Sequence, residues 1–305
     1  GNKKAIKPIL HDIIAWQEER GYPLTLFTEA SLDLAEDAEL MDLMGQANFQ
    51  SVFVGIESPN EESLKETKKH QNVRARAGTL LERVHRIQDH GLEVWCGMIL
   101  GFDNDEPSVF RAMPQFLRDA RIGNALIGLL HAIPTTPLYA RLKDAGRLNS
   151  DEDVQTYGTN VIPLGLGREE LRDGFVDVMR HVYSADDYFG RIDKLFIEDR
   201  FTYAFHELPY WRSNKWTWAK RCVGNYVKFA FVAGRLLTSV DDPALRDRYR
   251  HHLGKIVRAR GFEPHILFIY SIKVAMHYHF ACHSRGVEEE WQETGEVPVI
   301  REAAE

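Results

Sequence analysis

Two rhythms divide the chain. Before residue 149, apolar runs of strand length alternate with helix-period segments; after residue 167 only helix-period segments remain. In residues 5–20, Ile6, Ile9, Leu10, Ile13, Ile14 and Trp16 recur at spacings that gather them largely on one helix face, and Gly21-Tyr22-Pro23 stops the helix. LTLFTEAS, residues 24–31, then reads as a strand. DAELMDLMGQAN reads as a helix with Asp37 near its start, and SVFVGIES, residues 51–58, as the next strand. A helix over 74–90, Gly91, a strand over 92–102, a helix over 107–121 and a strand over 124–134 continue the alternation.

Strands with continuous apolar bodies, separated by helices, predict parallel pairing with helices over the sheet. Units starting at Leu24, Ser51, Leu92 and Asn124 make four β/α repeats, which predicts an α/β fold of the (β/α) barrel type or part of one. A doubly wound open sheet is the competitor, but no GxGxxG turn follows any of the strands. Residues 149–167, with Gly158, Pro163, Gly165 and Gly167, read as a connector. Helical patterns over 168–183, 185–198, 216–239, 243–260 and 264–285 then predict a mostly α-helical domain over 168–305.

The 305 residues suffice for a large core and for two domains. A formal net charge of −7 argues against a general nucleic-acid binder, which needs a basic surface to neutralise phosphates. The longest apolar stretches, such as VKFAFVAGRLL, fall short of the roughly 20 residues that cross a bilayer, so no transmembrane segment is expected. No secretory signal opens the chain, and Cys96, Cys222 and Cys282 lack metal-ligand spacing; reduced thiols in a cytoplasmic protein are expected, with a peripheral membrane position left open.

In parallel barrels chemistry gathers at the C-terminal ends of strands. Here those ends read TEAS with Glu29, Glu57-Ser58, GFDND after Gly101, and His131-Ala132-Ile133-Pro134. Each has a plain alternative. A carboxylate at Glu29 or Glu57 would serve equally as a helix cap, Asp103 and Asp105 read as loop and N-cap residues, and His131 as a packed core histidine. In the helical half, PYWRSNKWTWAKRCVGNYVKFAFVAGRLL interleaves aromatics with Lys and Arg. It is expected to pack its apolar side on the barrel, the competing reading being a surface for a lipid-like or aromatic substrate. His279 and His283 share a helix face, but without a third ligand they read as part of a packed helix.

FTEAS, FVGIESPNEESLKETKK, GLEVWCGMILGFDND and LLHAIPTTPLYARL together resemble the second half of a radical S-adenosyl-L-methionine (SAM) barrel, of the cobalamin-binding subfamily that includes the hopanoid methylases. The resemblance implies a partial TIM-like barrel over 1–148 and continues through the helical domain. It implies that Glu29 binds the SAM amino group and that Glu57, with Ser58 nearby, lies against the ribose hydroxyls. It implies further that Lys69 meets the SAM carboxylate, that the Gly97–Gly101 strand, including Ile99, runs along adenine and ribose, and that the strand end at His131 closes over the adenine. SAM carries an ammonium, a carboxylate and a diol, and Glu29, Lys69 and Glu57 supply the complementary groups. Small residues at Gly97 and Gly101 let backbone approach a flat ring. Asn104 stands where the family places an acid, which weakens that contact.

The family's CxxxCxxC motif for a 4Fe-4S cluster and its Asp-x-His-x-x-Gly cobalamin motif do not occur in the sequence. The resemblance therefore implies that the chain is the C-terminal part of a longer enzyme. That enzyme would cleave SAM reductively with electrons from a donor such as flavodoxin or ferredoxin, and transfer a methyl group to a small-molecule or lipid substrate. The chain alone is not expected to do so, and as half a barrel it should expose sheet edges and apolar surface. Two alternatives stay open: a non-catalytic SAM-binding scaffold, and a non-radical barrel lyase or hydrolase using Glu29 and Glu57 as an acid-base pair.

Overall fold

The computed structural model describes residues 3–60, 78–149, 154 and 156–295. Helix α1 (Lys3–Glu19) precedes four strands, β1 (Leu26–Ala30), β2 (Phe49–Glu57), β3 (Glu93–Leu100) and β4 (Ala125–Leu129). They pair in chain order and all in parallel. Parallel neighbours need a crossover. It is supplied by a 3-10 turn (Leu32–Glu36) with α2 (Ala38–Gln46), by α3 (Leu80–Asp89) and by α4 (Val109–Asp119). The expected α/β class, with a parallel sheet followed by helices, is what the chain adopts.

Local chemistry explains where these helices start. Asp37 accepts from Leu40 N (3.0 Å) at the head of α2, and Thr79 and Glu82 form a reciprocal capping box on α3. Their apolar faces meet one side of the sheet, where Val52, Val54, Ile56, Val94, Cys96, Met98 and Leu100 pack on Met41, Met44, Val84, Ile87, Met113 and Leu117, all buried. Gly91, at φ 71°, sits where an added Cβ would come within 2.3 Å of Ala204 N, so only glycine lets the distant segment at Ala204 lie against the α3–β3 turn.

After β4 comes α5 (Pro137–Asp144), and the helical half comprises α6 (Arg168–Val182), α7 (Ala185–Asp193) running into a π-type turn (Lys194–Glu198), α8 (Lys215–Ser239), α9 (Pro243–Arg260) and α10 (Pro264–Thr294). Its apolar side chains join those of the sheet in one continuous cluster. Buried cations tie the halves together. Arg191 donates to the Ile122 carbonyl (2.7 Å) and Val182 carbonyl (2.9 Å), and Lys273 pairs with Glu93 at the head of β3.

Four expectations need correcting. The last strand ends at Leu129 rather than at residue 134, because beyond Leu130 the Asn160 amide takes over the backbone, accepting from Ala132 N (2.7 Å) and donating to Ala132 O (2.8 Å). Thr136 caps an unforeseen helix, α5, with Pro137 in its first turn. Helix α10 continues past residue 285 to Thr294, held by buried Val287 and by Arg172 stacked 4.5 Å over Trp291, and stops at left-handed Gly295. Helix α8 packs on α9 and α10 rather than on the sheet, and a second apolar face of it is exposed.

Candidate functional site

Strand alternation leaves the other face of the sheet partly open. Glu29 is level with Phe53, Phe53 with Trp95, Gly55 with Gly97, Gly97 with Leu126 and Ile99 with Gly128. Phe27 and Trp95 meet across this face, their ring centroids 5.5 Å apart. Its N-terminal end is closed. The Glu93 carboxylate receives Tyr203 Oη (2.8 Å) and Lys273 Nζ (2.5 Å), and the ammonium lies 4.9 Å over the Trp95 ring. With its amide oxygen turned inward, Asn124 accepts from Lys273 Nζ (2.8 Å) and Trp95 Nε1 (3.1 Å).

The C-terminal end carries the carboxylates. Glu29 is exposed one residue before the end of β1, where the strand borders a 440 Å³ groove lined by Ile6, Ile9 and Ile13 of α1. Glu57 ends β2 after a bulge: Gly55 is level with Gly97, yet Glu57 is level with Met98. Its φ is 71°, in the left-handed region that costs a non-glycine residue about 1–3 kcal/mol. Bulges of this kind re-aim a side chain next to working sites. Ser58 is fully buried, and its Oγ accepts from Asn60 N (3.1 Å), so its hydroxyl shapes the turn that holds Glu57.

Gly97 and Gly128 keep the middle of the open face low. A Cβ on Gly97 would approach the Phe53 ring to 3.2 Å, whereas one on Gly128 would meet nothing within 4 Å. Ile99 packs beside Phe102 and Leu130. Gly101 turns the chain at φ 103°, and its N–H donates to Asp105 (2.9 Å), as does that of Phe102 (3.1 Å). Asp105, expected as an N-cap, is instead a fully buried clamp on the strand-end turn, and Ser108 occupies the cap of α4. Asp103 is paired with Arg147, and Asn104 is exposed. His131 is exposed in the turn after β4, and Lys69 lies outside the described residues.

These groups fit SAM: an exposed carboxylate, a second carboxylate on a strained bulge, and a glycine floor that leaves room for a flat ring. The thiols do not fit a cluster. Cys96 is fully buried on the helix-packed side, where burial pushes its thiol well up, while Cys222 and Cys282 sit on α8 and α10. Of the residues that matter to the face, Glu93 escaped the sequence reading, and Asp105 was read only as a loop or N-cap residue. The charge of Glu93 at the head of an apolar run was a usable signal, but nothing in the sequence pointed to its partner.

The family described as domain of unknown function (DUF4070) matches residues 136–293, more than half of the chain. The chain belongs to the DUF4070 family. The chain is also similar to proteins named as methyltransferases, as the resemblance implied. It is 37% identical over 201 residues to an uncharacterized methyltransferase of Synechocystis, covering 65% of this chain and 37% of that protein. It is 34% identical over 193 residues to the hopanoid C-2 methylase of Rhodopseudomonas palustris, covering 63% and 35%. It is 27% identical over 162 residues to the bacteriochlorophyllide d C-12(1)-methyltransferase of Chlorobaculum tepidum, covering 53% and 35%. The matches thus span little more than a third of each relative's length.

Proposed function

We propose that this DUF4070 chain is the SAM-binding part and helical domain of a cobalamin-dependent radical SAM C-methyltransferase. Glu57 carries the reading, because its carboxylate is held by a bulge and a left-handed backbone at the end of a parallel strand, beside an open glycine floor. The names of three relatives support methyl transfer. In this reading residues 1–148 form the barrel part, 149–167 the connector and 168–305 the helical domain. Glu29 receives the SAM ammonium and Glu57 the ribose hydroxyls, with Ser58 setting the Glu57 turn. Lys69 meets the SAM carboxylate, the backbone from Gly97 through Ile99 to Gly101 lies along the nucleoside, and His131 covers its outer side.

The bound SAM, a 4Fe-4S cluster and cobalamin supply the reactive chemistry, with electrons from a flavodoxin or ferredoxin. No cluster ligand is assigned among the residues of this chain. The chain's own residues bind and orient, and the sealed Glu93–Lys273 end excludes water from below the ring. The substrate is a small molecule or a lipid.

The test is SAM affinity and anaerobic 5′-deoxyadenosine formation in the intact protein. Glu57→Gln and Glu29→Gln are each expected to weaken SAM binding about tenfold, the loss of one charge-assisted contact. Unchanged affinity in both variants would remove the assignment. Turnover with no iron present would favour the barrel lyase or hydrolase reading instead.

A further inference from the structure

Helix α8 has two apolar faces. One sends Phe229, Val232, Ala233, Leu236 and Leu237 into the core. The other carries Trp216, Val223, Val227 and Phe231, which recur at helical spacing and are 73%, 63%, 63% and 69% exposed. Phe262, 99% exposed, stands close by, since Tyr226 Oη donates to the carbonyl of Gly261 (2.8 Å). Scattered exposed apolar residues are ordinary, but a stripe of four along one helix is not.

The charge around this stripe is lopsided. Helix α8 holds five Lys and Arg and no Asp or Glu, and residues 209–262 hold twelve Lys and Arg against three Asp, in a chain whose formal charge is −7. Lys220 lies within the stripe with Nζ 5.4 Å over the Trp216 ring, while Lys215, Lys228 and Arg235 are exposed along the helix. Long cationic side chains beside a tryptophan and aliphatic residues match a headgroup boundary, with apolar groups in the acyl region and ammonium groups at phosphate level.

We propose that this face of α8 docks on an anionic lipid surface, the helix lying in the plane of the interface. Charge selects this occupant. A second copy meeting the same face would set two acid-free helices against each other, which like charge opposes. An anionic leaflet instead attracts each added Lys or Arg. Among the described residues no helix is long and apolar enough to cross a membrane, so the contact is peripheral. The proposal rests on exposure and charge, independently of the methyl-transfer reading.

The intact protein should be floated with vesicles of phosphatidylcholine containing phosphatidylglycerol, and with vesicles of phosphatidylcholine alone. Binding is expected to the anionic vesicles, to weaken as salt is raised, and to drop about tenfold or more in V223E/V227E/F231E. K228E/R235E, which leaves the apolar stripe intact, should lose most of the salt-sensitive part. Far-ultraviolet circular dichroism and the melting midpoint of both variants should match the parent, since every substituted side chain is exposed. Failure of the parent to float with anionic vesicles, or equal flotation of parent and both variants, would overturn the proposal, whether the face is bare or covered elsewhere in the intact protein.

Discussion

At the scale of single residues, the Glu93–Lys273 pair shows how far apart in sequence the decisive partners lie. Both side chains are almost fully buried, and each has more than one polar partner: Tyr203 for the carboxylate, Asn124 for the ammonium. Removing one partner leaves an uncompensated charge in a dry site, which costs about 3–5 kcal/mol, whereas replacing both with apolar groups of similar size costs far less. Lys273→Met is therefore expected to lower unfolding free energy by about 3–5 kcal/mol in urea titrations, and Glu93→Leu combined with Lys273→Met by much less than the two single losses added. Additive losses would mean that the two charges do not act as a pair. The sequence displayed Glu93 plainly, but its partner is 180 positions away and announces itself by nothing local. Glu29 and Glu57 were legible because strand ends in parallel sheets are where such groups collect. The bulge under Glu57 was not, because register is a property of two strands.

At the scale of elements, α10 carries two buried histidines. His265 is nine-tenths buried with neither ring nitrogen bonded, stacked 3.5 Å from His206, and His277 bonds Tyr249 Oη (2.8 Å). Burial above all disfavours their charged forms and holds each at about 4, below the ordinary 6.5. The unfolded chain thus takes up protons first as pH falls. Stability contributed by the neutral rings is complete above about pH 6.5 and is lost progressively toward pH 4, by about 3 kcal/mol for each ring. Because His265 makes no hydrogen bond with its ring, His265→Phe should leave stability at pH 7 nearly unchanged and flatten part of this fall, measured by urea unfolding between pH 7 and 4.5. A variant with the parent's full pH dependence would exclude His265 as a source. For α8, periodicity identified a helix correctly, but it could not say which of two apolar faces would be covered. The covering helices, α9 and α10, come later in the chain and choose the Phe229 and Leu236 side.

At the scale of the whole molecule, one core runs from the sheet into the helices, yet Phe27 and Leu126 remain more than half exposed on the open face, and among the described residues β1 has a strand neighbour on one side only. Unpaired strand edges and apolar surface favour association. Residues 1–305 produced alone are accordingly expected to self-associate in analytical ultracentrifugation, with Phe27→Ser and Leu126→Ser shifting the distribution toward monomer; a clean monomer without these changes would count against it. The sequence by itself determined the order of strands and helices, their parallel pairing and the polar strand ends, because apolar period, caps and punctuation act over a few residues. Only the tertiary structure decided the strained aim of Glu57, the buried clamp of Asp105, the closure of the face by Lys273 and the exposed stripe on α8. Each of these depends on which distant surface arrives to exclude water, and no local pattern encodes that.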